Sequence, residues 1–335
     1  MEVRCDICGA KRATVYQRHS GLRLCRDCFH EDIRARVLDQ VNRYSMVLPG
    51  DGVLIGLSGG KDSFVLLNII SEVCSPSKIV GLMIEEGIHD YNRDEVFEYI
   101  ESICRDKGVE CIRTSLKKEL NYSVDDYMRY QLSIESDYIA SACTYCGIAR
   151  RRVLNSYARM LGLNRVATGH NLDDEVQTYV INILRGDFMR LVQLHPLSNV
   201  HSSKLVKRVK PLRSIYEYET TMLAYIMGYR FQETECPYIS QRPTLRVRIR
   251  EMLISLEVWR PGIQLEFLKF IDTLLEDAIE NRVFKSIELP YCRLCGEPTS
   301  PNRELCKFCE LINRMRSGVL DAPPSQQSVY RNPTI

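Results

Sequence analysis

The sequence predicts an α/β fold: a doubly wound parallel sheet flanked by two small cysteine-rich units. Three observations carry that expectation. From Val53 onward, short apolar runs alternate with segments of helical period, the pattern of parallel strands joined by crossover helices. The first run, Val53-Leu54-Ile55-Gly56-Leu57, feeds a glycine turn, Ser58-Gly59-Gly60-Lys61-Asp62-Ser63. Ten of the 14 cysteines fall into five Cys-x-x-Cys pairs, and four of those pairs lie near the chain ends.

At 335 residues the chain has room for about two domains of ~150 residues each. Formal net charge is +2, so no global field marks a polyanionic partner, and a nucleic-acid surface must be a local patch. Met1-Glu2-Val3-Arg4-Cys5 lacks the apolar core of a signal peptide, and no apolar run approaches the ~20 residues that span a bilayer. A cytoplasmic location without a membrane partner is expected. Paired cysteines there bind metal more often than they form disulfides.

In chain order, Cys5-x-x-Cys8, sixteen intervening residues and Cys25-x-x-Cys28 have the spacing of a tetrahedral four-cysteine zinc site. So short a segment cannot fold on burial alone, and metal would supply the energy. His19 and His30 are expected at the surface, because four thiolates already close the site. Ile33, Val37 and Val41 mark a linking helix over 31–48, with Arg34, Arg36 and Arg43 on a solvated face. Pro49-Gly50-Asp51-Gly52 is a turn.

Strands are expected at 53–57, 79–84, 109–114 and 165–168. Helices are expected at 62–74, near 92–106, from about Cys146, and near 173–184. Ligands of such a sheet sit at the carboxyl ends of its strands, where Ser58, Glu85 and Gly169 would gather. His89 reads as a loop histidine. Cys74, Cys104 and Cys111 read as small buried hydrophobes.

The turn at 58–63 is suited to phosphate. Gly59 and Gly60 let a ligand approach the main chain. The first amides of the following helix lack internal partners and carry partial positive charge. Ser58 and Ser63 add hydroxyls, Lys61 adds a charge, and Asp62 could face a phosphate-bound Mg²⁺. The spacing is not that of the Walker loop.

Ala142 to Arg152 opens a helix carrying Cys143, Cys146 and three consecutive arginines, Arg150, Arg151 and Arg152. Thiols at a helix start are expected to have lowered pKa values, and the arginines deepen that effect. Cys236, before Pro237, is a third cysteine in loop context. Two readings stand open: three thiolates holding a [4Fe–4S] cluster with one iron free, or a redox pair with Cys236 resolving it. In Thr168-Gly169-His170-Asn171-Leu172-Asp173-Asp174, one aspartate caps a helix; the other suits Mg²⁺ or a base beside a nucleotide.

Lys204 to Arg213 reads as a strand with one basic face, joined by Arg242, Arg246, Arg248 and Arg250 as a phosphate-binding surface. Residues 213–281 read as helical, broken near Cys236, Pro243 and Pro261-Gly262. Cys292-x-x-Cys295, ten intervening residues and Cys306-x-x-Cys309 form a second four-cysteine zinc site. The expected organisation is a zinc finger over 1–30, a catalytic domain over 31–285, a second finger over 286–317 and a flexible tail over 318–335.

Ser-Gly-Gly-Lys-Asp-Ser resembles the PP-loop, Ser-Gly-Gly-x-Asp-Ser, of the N-type ATP pyrophosphatases. That resemblance implies cleavage of ATP between its α and β phosphates. The order of finger, PP-loop, Cys-x-x-Cys, Thr-Gly-His-Asn-x-Asp-Asp, Cys-Pro and finger resembles the TtuA-type tRNA 2-thiouridine synthases of the TtcA/TtuA family, over roughly residues 1–315. The resemblance implies that Cys143, Cys146 and Cys236 hold a [4Fe–4S] cluster and that the outer sets hold two zinc ions. It places ATP and Mg²⁺ among Ser58, Gly59, Gly60, Lys61, Asp62, Ser63, Ile84, Arg150, Gly169 and Asp174, with Asp174, Lys61 and Arg150 as catalytic candidates. The implied reaction adenylates O2 of a tRNA uridine and then replaces that oxygen with sulfur. The Cys-Gly-Glu-Pro-Thr-Ser and Glu-Cys-Pro-Tyr segments look like the group acting on uridine 54; wobble uridine 34 is the alternative. The resemblance further implies a ubiquitin-like sulfur carrier or free sulfide as donor, and a homodimer. An amide-forming PP-loop ligase would not need the three inner cysteines, and a non-catalytic zinc RNA-binding module would not need ATP.

Overall fold

The computed structural model describes residues 2–73, 78–133, 140–198, 200–232, 234–241, 245–281 and 287–321. Cys74, Arg242, Pro243 and residues 322–335 of the expected tail lie outside the described residues, and residues 318–321, expected in that tail, are helical.

The amino-terminal finger is an antiparallel ribbon, β1 (Val15–Gln17) and β2 (Leu22–Leu24), followed by α1 (Arg26–Arg43). Cys25 caps α1 and Cys28 lies in its first turn. The helix expected over 31–48 therefore starts within the second knuckle, and one continuous helix crosses residue 30. Phe29, Ile33, Val37 and Val41 recur every four residues and bury one stripe of α1 against the body.

That docking changes three surface expectations. His19 stacks on Tyr216 and lies 3.2 Å from the Tyr218 hydroxyl, while His30 faces Glu72 at 3.2 Å. Arg36 pairs with Asp32 and with the fully buried Glu219, while Arg43 stays on the solvated face as expected, paired with Glu276. Arg34 pairs within the helix, to Glu31. Periodicity marks the apolar stripe of a helix but not a second wall of protein beside it.

The body is built on β3 (Gly52–Gly56), β4 (Lys78–Glu85), β5 (Glu110–Ser115), β6 (Arg165–Ala167) and β8 (Lys207–Val209). They form one parallel sheet in the order β5-β4-β3-β6-β8. Val53 and Ile55 of β3 enter one core and Leu54 the other, so both faces of the sheet are covered. On the first face lie α1, α2 (Lys61–Val73), α3 (Asp94–Asp106) and α9 (Glu217–Ile226). On the second lie α4 (Leu116–Leu120), α5 (Val124–Ser133), α6 (Ala142–Met160) and α13 (Lys307–Asp321). A third core joins α7 (Leu172–Leu184), α8 (Phe188–Leu194), α11 (Leu245–Trp259) and α12 (Ile263–Glu280). The break at Pro261-Gly262 separates the last two, with Gly262 capping α12 at φ 98°. A short α10 (Tyr238–Gln241) follows Cys236, and β7 (Val200–His201) pairs in parallel with β9 (Ile287–Glu288) beside the carboxyl-terminal cysteines.

Two further expectations are corrected. Only Lys207–Val209 of the basic stretch is strand. Arg213 is fully buried, donating to both oxygens of Asp272 at 2.7 and 2.6 Å, and Lys210 bonds Glu175. The chain turns inward after β8, where buried carboxylates wait; spacing alone cannot reveal that. Cys104 and Cys111 are joined by a disulfide, because the end of α3 lies against β5. No helix among the described residues is long and apolar enough to cross a membrane.

Candidate active site

From β3 the chain crosses to β4 on one side; from β6 it continues to β8 on the other. The crevice between β3 and β6 is therefore the topological switch point, where doubly wound sheets bind ligands. Both strand-end loops enter it. Gly59 has φ 77°, and a Cβ there would come within 2.4 Å of Val96, so only glycine fits. The Gly60 N–H donates to Ser58 Oγ at 3.4 Å, and the Ser63 hydroxyl donates to the Gly60 carbonyl at 2.7 Å.

The second loop rests on the first. A Cβ on Gly169 would stand 3.0 Å from the Asp62 carbonyl carbon. Asn171 and Asp174 form a reciprocal capping box at the start of α7. The Asn171 amide also donates to Asp62 Oδ1 at 3.3 Å, where the Thr220 hydroxyl arrives at 2.5 Å. Lys61 Nζ lies 3.0 Å from Asp62 and 3.2 Å from Glu217. Burial opposes its charge, but the two carboxylates prevail and hold its pKa above the ordinary value.

Asp174 is recessed yet open, with 38% of its side chain exposed. Burial pushes its carboxyl up to about 6, Arg246 opposes from 3.5 Å, and Asp62 reinforces the rise. Asp173 instead accepts the Glu217 N–H at 2.7 Å, a structural role. His170 Nδ1 lies 2.9 Å from the Thr168 hydroxyl. Burial, then Lys210, Arg208, Arg150 and Arg246, depress the imidazole to about 3, so it is neutral.

Ile84 is buried near the end of β4. Glu85 ends β4, and its side chain pairs with Arg113 at 3.5 Å. Glu86 is buried instead, accepting from Asn92 at 2.7 Å and standing 3.4 Å from Arg150 Nε. His89 is an exposed loop residue beside Asp90.

Ser141 caps α6 by accepting the Thr144 N–H, so the helix starts at Ala142 and places Cys143 and Cys146 near its first turn. Cys143 is exposed, and Cys146 and Cys236 are half-buried. The lowered thiol pKa expected there is not found at Cys146. Burial pushes it up to about 12, and the nearby Arg150 only partly opposes. Removal of water from the charged form outweighs the helix terminus. A coordinating metal would reverse this by deprotonating the thiol. Cys236 is raised as well, first by burial and then by the charge of Cys143.

Among the described residues, two sets bring three or more potential metal ligands within 4.8 Å of one another: Cys5, Cys8, Cys25 and Cys28, and Cys292, Cys295, Cys306 and Cys309. Cys8 and Cys25 sulfurs are 3.9 Å apart and Cys295 and Cys306 sulfurs 3.7 Å, separations that thiolates sharing one tetrahedral ion adopt. Both sets could hold a metal ion. The inner three cysteines are not drawn so close.

Residues 31–257 match the model of the PP-loop domain. The chain belongs to the PP-loop family. Residues 4–30 match the N-terminal LIM domain of the 2-thiouridine synthetase TtuA. Among curated relatives, the chain is 31% identical to the tRNA 2-thiolation protein NcsA of Haloferax volcanii, over 94% of this chain and 100% of that one. It is 32% identical to the tRNA-5-methyluridine(54) 2-sulfurtransferase of Thermus thermophilus, over 92% and 90%. Among solved structures it is similar to the U34-tRNA thiolase NcsA from Methanococcus maripaludis with its [4Fe-4S] cluster, at TM-score 0.74 and 28% identity, covering 93% of this chain and 96% of that one.

Beside the PP-loop, sequence reasoning missed Glu217 and Thr220 of α9, which hold Lys61 and Asp62, and Glu86. None belongs to a motif, and each reaches the site by tertiary placement. The basic surface also divides differently than expected. Arg246 is held by Asp174, Gln177 and Thr178, and Arg250 by Glu217. Arg208 lies exposed on the edge strand β8, where loss of water and then Arg151 lower its pKa to about 10.

Proposed function

We propose that this PP-loop protein is an ATP-dependent tRNA-uridine 2-sulfurtransferase with adenylation of uridine O2 as its first half-reaction. The observation that carries the reading is the place of Arg150, which lies beside Cys146 and Glu86 and also close enough to His170 of the second loop to depress its imidazole, joining the cysteine-bearing helix to the phosphate-loop side of the sheet. ATP phosphates take the place of Asp62 and Glu217 at Lys61 and meet the amides at the start of α2. Asp62 and Asp174, held by Asn171 and Arg246, carry Mg²⁺ or take the proton of the activated base. Ile84 faces the adenine, and Gly169 lets the second loop close on the nucleotide.

Adenylation turns a poor oxygen leaving group into AMP. Arg150, between Cys146 and Glu86, steadies the negative charge that develops as AMP departs. A [4Fe–4S] cluster on Cys143, Cys146 and Cys236 would leave one iron without a protein thiolate, where a sulfur atom could be held for transfer. Arg151 and Arg208 are placed for RNA phosphates, and the two four-cysteine fingers, each holding zinc, extend that surface. The sulfur donor is a ubiquitin-like carrier or sulfide, the protein acts in the cytoplasm, and it works as a homodimer.

Uridine 54 is our first reading of the target, supported by the TtuA-type amino-terminal domain and the Cys-Gly-Glu-Pro-Thr-Ser segment. Uridine 34 is the second, favoured by the likeness to a U34-tRNA thiolase. The experiment is anaerobic purification, a visible spectrum, and ATP-dependent thiolation of unmodified tRNA followed by mass mapping of the modified nucleotide. A colourless protein whose Cys236→Ala variant thiolates at the wild-type rate would sink the cluster assignment, and sulfur at position 34 alone would replace the first target with the second.

A further inference from the structure

Helix α6 presents three stripes. Ala142, Tyr145, Ala149 and Val153 face the core. Cys143, Cys146 and Arg150, at spacings of three and four, face the crevice. Arg152, Asn155 and Arg159, at the same spacings, face the carboxyl-terminal finger and the loop before β8. Asn155 and Arg159 both donate to the Lys204 carbonyl at 2.8 Å, and Arg159 grips Glu297 through both oxygens at 2.9 and 2.6 Å.

Arg152 makes a contact of another kind. Its Nη1 lies 3.2 Å from Cys295 Sγ and 3.9 Å from Cys306 Sγ, and its guanidinium lies over the Phe308 ring at 4.9 Å. Those sulfurs belong to the carboxyl-terminal set of four cysteines. Four thiolates around a divalent ion carry a net charge of −2, and a guanidinium donating to two of them offsets half of it. The amino-terminal set has no arginine hydrogen bond to its sulfurs among the contacts of the described residues.

We propose that Arg152 is the outer-shell counter-cation of the carboxyl-terminal metal site, so that the body, through α6, sets how tightly the finger holds its ion. This rests on the reading that Cys292, Cys295, Cys306 and Cys309 hold zinc. Arg152 belongs to the finger rather than to the phosphate-binding set, although it follows Arg150 and Arg151 in sequence. The same helix carries Cys143 and Cys146, so the finger and the sulfur half of the crevice share one support.

The test uses the full chain loaded with zinc, titrated against a chromophoric chelator, with alkylation and peptide mapping to show which cysteines are freed. Arg152→Gln keeps a donor but removes the charge; the carboxyl-terminal ion should be held ~10- to 100-fold less tightly, with the amino-terminal ion unchanged. Arg152→Lys should restore part of the loss. With cobalt in place of zinc, the Arg152→Gln chain should show a shifted thiolate-to-metal absorption band. Retention of both ions at wild-type affinity in Arg152→Gln overturns the proposal, as does equal loss of both, which reports general unfolding. A wild-type chain whose four carboxyl-terminal thiols alkylate at once, with no ion bound, removes the zinc reading and the inference with it.

Discussion

The outer cysteine sets and the inner trio use the same Cys-x-x-Cys signature for different ends. In each outer set a pair meets a second pair, and the sulfurs close to within 4.8 Å of one another. In the inner trio a pair on α6 meets a lone cysteine from the segment before α10, the three do not close to within 4.8 Å of one another, and Cys146 lies beside Arg150 and Glu86. The outer sets sit in segments with little core of their own, where a bound metal ion would supply much of the folding energy. Two of the inner cysteines sit on α6, whose core-facing stripe is already buried, and the third in the segment before α10, so none of them is needed to close a fold of its own. The contrast teaches that a cysteine pair is read by what the fold brings opposite it.

The largest expected effect breaks an outer set. Cys306→Ser should release one ion and open the carboxyl-terminal finger, since structural zinc sites are worth ~10–16 kcal/mol of folding energy. Metal content and hydrogen exchange across 287–321 measure it. Cys236→Ser should leave Tm within about 2 °C yet abolish tRNA thiolation. If Cys236→Ser instead melted the fold, the inner trio would be structural and the contrast would vanish.

Arg150→Met should slow thiolation about 100-fold while ATP–pyrophosphate exchange on tRNA continues, which separates sulfur transfer from adenylation. Equal loss of both steps would move Arg150 to the nucleotide half of the crevice.

Asp174→Asn sharpens the same division from the other side. The folded carboxyl titrates at about 6, above the ~3.9 of an unfolded aspartate. The fold therefore prefers the protonated form. That stabilisation is fully present below pH ~3.9 and is lost as pH rises through about 6. The asparagine variant should thus be inactive yet melt about 1–3 °C higher than wild type at pH 7.5, with the gap closing toward pH 4. A lower Tm at pH 7.5 would show that Asp174 is held for its bond to Arg246 rather than for chemistry.

On α1 the effects bear on stability and leave the chemistry untouched. Arg34→Ala removes an exposed pair worth at most ~0.5 kcal/mol. Arg36→Ala leaves Glu219 buried without its guanidinium partner, a loss of ~3 kcal/mol or more. Thermal melts at neutral pH distinguish them, and equal effects would mean that the finger does not dock on α9.

Much of this was legible in the chain itself. The strand at 53–57, the phosphate turn, the β–α alternation, the two outer cysteine sets and the break at Pro261-Gly262 all depend on neighbours within a few residues. A glycine at φ 77° and a knuckle closed by thiols three apart are local events, and their residue types are constrained by local sterics and ligand geometry. The helix expected from about Cys146 began four residues earlier because a serine hydroxyl capped it, a signal present in Ser141 but weak.

What only the tertiary structure decided lies at long range. Residue type and spacing are the same for Arg34 and Arg36, yet one is half-solvated and the other clamps a buried glutamate. Arg213 read as surface charge and is, among the described residues, the largest of the fully buried side chains. Arg150, Arg151 and Arg152 are adjacent in sequence, but successive side chains on a helix point about 100° apart, so each faces a different part of the molecule. The chain alone determined which chemistries are present, because turns and knuckles are written in contiguous residues. Which thiol answers which charge was settled by packing, because burial and facing groups depend on segments far away in the sequence.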